Sequence, residues 1–158
     1  MARAVSLRAQ AGAPVGELIV RFLPRVRKDV RAEVERLAAA IRRECPPAHR
    51  VEVTVVPHYA VKGEGGGYGF AAFGHPPRKP RPDDVPLIGV AGGAADIGVK
   101  RFGESRAEAV CEVGKSFLHE WVHYEQWRAT GTCTERGVAV RTRNLYARLS
   151  GGADAKAG

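Results

Sequence analysis

The hydrophobic pattern opens with Glu17 to Leu23 (ELIVRFL), an apolar run of strand length. From Lys28 to Cys45, Val30, Val34, Leu37 and Ile41 recur at three- and four-residue steps, which predicts a helix with one apolar face, stopped by Pro46 and Pro47. Val51 to Val61 (VEVTVVPHYAV) begins as a strand with apolar residues at alternate positions, and Pro57 predicts a bulge or an edge there. Tyr68 to Phe73 and Pro86 to Val90 are shorter strand candidates. Ser105 to Trp127 is free of proline and carries Val110, Val113, Phe117, Trp121 and Tyr124 at helical spacing. Its start, Ser105-Arg106-Ala107-Glu108, has the form of a capping box. Gly114 inside this helix costs about 1 kcal/mol relative to alanine, which predicts close packing of another backbone at that point. A last helix is expected from Glu135 to Leu149, with Val138, Thr142, Leu145 and Leu149 on its apolar face.

Between these elements lie GEGGGYG, HPPRKPRPDD and AGGAADIG, read as connections. The glycine run after Glu64 leads into a strand and lacks a following Lys-Ser/Thr, so it is expected to be a flexible hairpin or flap and not a phosphate cradle. These periodicities establish an α+β class. The length of 158 residues suits one domain, placed at 1–149, with 150–158 (SGGADAKAG) as a disordered tail.

The formal charge of +8 comes from 25 Lys and Arg against 17 Asp and Glu, and favours anionic partners. Basic residues cluster at Arg25, Arg27, Lys28 and Arg31, at Arg78, Lys79 and Arg81, and on the last helix. They have neither interleaved aromatics nor a recognised reader motif, so solvated basic faces are favoured over a nucleic-acid site. No apolar run has transmembrane length, and the first residues lack the apolar segment of a secretory signal. The cysteines Cys45, Cys111 and Cys133 have no disulfide-framework spacing. The expectation is a cytoplasmic protein without membrane attachment.

The long helix changes this picture, because it contains His119-Glu120-Trp121-Val122-His123, an intact H-E-x-x-H. Four residues span slightly more than one helical turn, so both imidazoles project from the same face about 6 Å apart along the axis. They can close on one Zn²⁺ at about 2.0–2.1 Å. Glu120 is rotated by about 100° from His119, which sets its carboxylate beside the metal as a general base for a zinc-bound water.

Such a site needs a third protein ligand. Glu135 is the leading candidate: extending the last helix's apolar stripe backwards places it on the buried face, where a carboxylate needs a partner. Alternatively, Thr132-Cys133-Thr134-Glu135 is itself a capping box, with Glu135 bonded to the backbone of Thr132. Cys133 is a chemically able ligand without a second cysteine nearby, and Glu125 is turned about 200° from His123 on the same helix. His58, at the end of an apolar run, could bind the metal or stabilise an oxyanion. His49 and His75 sit in proline-flanked stretches expected to be surface loops.

The segment from Phe117 to Leu149, FLHEWVHYEQW followed by TERGVAVRTRNLYARL, resembles zincin metallopeptidases, specifically small gluzincin-like ones whose motif helix is followed by a glutamate helix. The resemblance implies a small mixed sheet packed on helices in the order β-α-β-β-β-α-α. It also implies His119, His123 and Glu135 as zinc ligands, Glu120 as general base, and a peptide or protein substrate. Zincins bind substrate extended along an edge strand near the motif helix, which points to Leu87 to Val90 or Gly69 to Phe73. The expected function is therefore zinc-dependent peptide hydrolysis. The alternative is a binding protein, either a basic nucleic-acid-associated module or a non-catalytic zincin scaffold.

Overall fold

The computed structural model describes residues 16–151. The amino-terminal segment read for a secretory signal and residues 152–158 of the expected tail lie outside that range. Strand β1 (Leu18–Phe22) leads into helix α1 (Lys28–Glu44), which returns to β2 (Val51–Val56). Two short strands follow, β3 (Val61–Lys62) and β4 (Tyr68–Gly69), then β5 (Ala71–Gly74) and β6 (Leu87–Ala91). Three helices complete the described residues, α2 (Ala94–Phe102), α3 (Arg106–Thr130) and α4 (Val138–Ser150). This is an α+β fold, as the periodicities indicate. No helix among the described residues is long and apolar enough to cross a membrane.

The main sheet has the order β1-β2-β6-β5. Its first three strands are parallel, with Val20 opposite Val53 and Val53 opposite Ile88. β5 runs antiparallel to β6, with Phe73 opposite Ile88, and ends the sheet. Val51, Val53 and Val55 are fully buried at alternate positions of β2, in accordance with the strand period. They pack with the α1 stripe Val30, Val34, Leu37 and Ile41 and with Phe117, Leu118, Trp121 and Trp127 of α3 in one apolar core.

Pro57 neither bulges β2 nor makes it an edge. β2 lies between β1 and β6 and ends at Val56, because proline has no N–H to continue an interior ladder. The expected strand Tyr68 to Phe73 is divided: β4 closes a hairpin with β3 around the glycine run, and β5 joins the main sheet. Helix α2 was not anticipated, since its glycine-flanked sequence reads as a loop. The capping box is present in full, with Glu108 N–H donating to Ser105 Oγ and Ser105 N–H to Glu108. At Gly114 it is side chains of α1, not a backbone, that approach: a Cβ there would lie 2.9 Å from Leu37 Cδ1 and 2.8 Å from Glu33 Oε1. The last helix continues through Ser150, so Ser150 belongs to it and not to a tail.

Candidate metal centre

Helix α3 is buried over most of its circumference, and this fixes the rotation that turns His119 and His123 towards a single point. Trp121, Tyr124 and Trp127 are fully buried on its core side, and Trp127 donates its indole N–H to the Arg78 carbonyl at 3.0 Å. The loop 75–84 is thereby tied to the helix. Arg78 and Asp84 close that loop with two contacts of 2.9 and 2.6 Å, and Arg81 N–H also donates to Asp84.

Helix α3 ends at Gly131, in the left-handed region at φ 77°, and Gly137 repeats that conformation at φ 75° before α4 begins. The segment between the two folds back along the last turns of α3 and carries Glu135 to the histidines. Glu135 therefore precedes α4 and does not open it, and its side chain is 76 % exposed where the apolar stripe predicted a buried position. The capping box expected over Thr132 to Glu135 is absent among the described residues: Thr132 N–H donates to Thr130 Oγ1, and the Glu135 carboxylate goes to the histidines. A left-handed Gly137 ahead of Val138 moves the helix start past the box.

His119, His123 and Glu135 form a cluster whose ligating atoms all lie within 4.8 Å of one another. The closest approaches are 3.2 Å between the two Nε2 atoms, 2.8 Å from His123 Nε2 to Glu135 Oε1, and 3.2 Å from His119 Nε2 to Glu135 Oε2. Two ligands on a tetrahedral zinc at about 2.0–2.1 Å stand roughly 3.3 Å apart, so this spacing and the donor set of two imidazoles and a carboxylate fit Zn²⁺.

Gln126 adds a constraint. Its Oε1 accepts from the backbone N–H of Thr134 at 3.2 Å and lies 3.0 Å from His123 Nδ1. A backbone N–H can only donate, so the atom facing it is the amide oxygen, and His123 Nδ1 must carry a proton to bond with it. In the neutral ring the Nε2 lone pair then faces both His119 Nε2 and the Glu135 carboxylate. Contacts at such distances are favourable when a proton on His119 Nε2 or a metal cation lies between the atoms.

Glu120 sits beside this cluster. Burial pushes its carboxyl up to about 7; His123 opposes the shift and Glu135 adds to it. His119 is held below the ordinary imidazole range, chiefly by burial and against the Glu135 charge. Glu120 borders two grooves, one of about 570 Å³ towards Phe70 and Ala71 and one of about 270 Å³ towards Phe73, His75 and Glu135. The edge strand β5 thus flanks the cleft on both sides of Glu120.

The other candidates are placed elsewhere. His58 is exposed at the far end of β2 and joins no ligating cluster among the described residues. His49 is buried, not in a surface loop: Tyr124 Oη accepts from the Ala48 and His49 N–H groups and donates to His49 Nδ1 at 3.0 Å, a structural clamp on α3. His75 is also no free surface loop residue. Its ring stacks on Phe73 and lines the second groove, with Nε2 3.7 Å from Cys133 Sγ. Cys133 donates to the His123 carbonyl at 3.4 Å and does not join the donor cluster. Glu125 points away and pairs with Arg141 at 3.5 Å. The sequence reading missed Gln126, although its position three residues after His123 puts it on the same helix face.

No protein-family model matches this chain, and comparison with curated proteins and with solved structures finds no significant similarity.

Proposed function

We propose that the chain is a zinc-dependent peptide hydrolase with Glu120 as general base. The convergence of two imidazole nitrogens and a carboxylate oxygen, with His123 Nε2 turned inward by the Gln126 contact at Nδ1, carries this reading. His119, His123 and Glu135 would hold the metal. A divalent cation there supplies Lewis acidity and lowers the pKa of water.

The remaining work falls to the chain. Glu120, one residue from His119 and bordering both grooves, accepts the proton of the attacking water and passes it to the departing amine. Its raised pKa suits proton transfer near neutrality, and a bound cation would act in the opposite sense by favouring the carboxylate. β5 pairs with β6 on one side, and its other edge has no strand partner among the described residues. An extended peptide can add to that edge through main-chain hydrogen bonds, passing Glu120 as it does so. β6 is interior, so Leu87 to Val90 cannot serve as this edge.

Part of the basic clusters is engaged within the chain. Arg78 is bound by Asp84, Arg27 by Asp96, and Arg31 donates to the Val26 carbonyl. The proposal is tested by Glu120→Gln, which is expected to retain zinc and the fold while abolishing peptide hydrolysis. Hydrolysis at the wild-type rate in that variant would refute the assigned role.

A further inference from the structure

The groove of about 570 Å³ beside His119 and Glu120 runs between α3 and α4. Its charged lining, apart from those two residues, consists of Glu112, Lys115 and Arg143. Lys115 Nζ donates to Glu112 at 2.7 Å and lies 5.6 Å above the Tyr146 ring, so this pair is neutral as a unit. Arg143 is exposed and has no acidic partner among the described residues. One positive charge therefore remains on the α4 wall. The buried Thr142 on that wall has a hydroxyl with no hydrogen-bond partner among the described residues.

We infer that Arg143 is a specificity-determining residue, selecting a peptide that presents a carboxylate to this groove. The inference rests on the peptidase reading and deepens it. Guanidinium offers a planar fork matched to a carboxylate. A formal charge of +8 favours acidic over basic peptides as partners of the chain as a whole. A carboxylate can come from a glutamate or aspartate side chain or from a free carboxyl terminus, and the groove chemistry is common to both.

Three matched peptides separate these sources: an amidated peptide containing one glutamate, its amidated glutamine analogue, and the glutamine peptide with a free carboxyl terminus. Hydrolysis is measured for the zinc-loaded wild type, Arg143→Ala and Arg143→Lys, and binding is measured in each with Glu120→Gln added. The glutamate peptide, the free-terminus peptide or both should exceed the amidated glutamine peptide in kcat/KM. Arg143→Ala should remove about two- to fivefold of that preference, the share of a solvent-exposed charge pair, and Arg143→Lys should restore part of it. Hydrolysis without a carboxylate preference, or an equal loss for all three peptides in Arg143→Ala, would overturn the inference and leave the peptidase reading standing. Carboxylate-dependent binding lost in Arg143→Ala, without hydrolysis by the wild type, would uphold the groove and refute the peptidase. Neither hydrolysis nor binding would refute both.

Discussion

Gln126 holds His123: its amide oxygen, oriented by the Thr134 N–H, fixes the proton on Nδ1 at a separation of 3.0 Å and leaves Nε2 free to ligate. Outer hydrogen bonds of this kind set both the tautomer and the ring orientation of a metal-binding histidine. Gln126→Ala is therefore expected to weaken zinc affinity by about 10- to 100-fold, while Gln126→Glu, which keeps an acceptor, should lose much less. Competition against a chelating dye measures both. Equal affinity in Gln126→Ala and wild type would remove Gln126 from the account.

Glu135 presents a carboxylate oxygen to the two histidines from an exposed turn, and its side chain makes no capping contact among the described residues. Glu135→Gln should thus reduce zinc affinity by about tenfold or more and leave the metal-free stability nearly unchanged, because there is no cap to lose. Metal-free thermal denaturation beside zinc titration separates the two effects. A large loss of metal-free stability with zinc affinity intact would assign Glu135 a structural role instead.

The loop that carries His75 depends on Asp84. Arg78 foremost, with help from the Arg81 N–H and against the effect of burial, holds the Asp84 carboxyl below the ordinary carboxylate range. A carboxylate with a depressed folded-state pKa stabilises the fold above its unfolded pKa of about 3.9, and that contribution disappears as pH falls through the folded value. The stability gap between wild type and Asp84→Asn should accordingly be level from pH 7 to about 5 and narrow below about 4. Urea unfolding across that range provides the check, and a gap that widens with acid would contradict the ion-pair account.

Much of this site was legible because helical spacing is a local property. The stripe Val110 to Tyr124 placed the H-E-x-x-H on a helix, and the four-residue step placed His119 and His123 on one face. Glu135 was legible as a candidate, but not its surroundings: the left-handed Gly137 turns the chain before α4 and leaves the carboxylate in solvent. What the sequence concealed are contacts between distant segments. His49 is buried by Tyr124 and Trp127, and His75 is brought into the cleft by a loop whose closure depends on Asp84. Helix α2 was hidden by glycines at its flanks, which mark a loop unless tertiary packing stabilises the helix between them.

Strand β5 is the sheet edge beside Glu120. Adding a peptide-like inhibitor with a zinc-binding group should therefore slow amide exchange in Ala71 to Gly74, while the interior strand β2 changes little. Unchanged exchange in β5 with inhibitor bound would exclude strand addition as the docking mode.

Convergence of His119, His123 and Glu135 on one cation is the central claim, and an equilibrium zinc titration of wild type beside His119→Ala and His123→Ala tests it most directly. The account requires about one zinc per chain in the wild type and loss of that binding in either variant. Unchanged stoichiometry and affinity in both variants would contradict it.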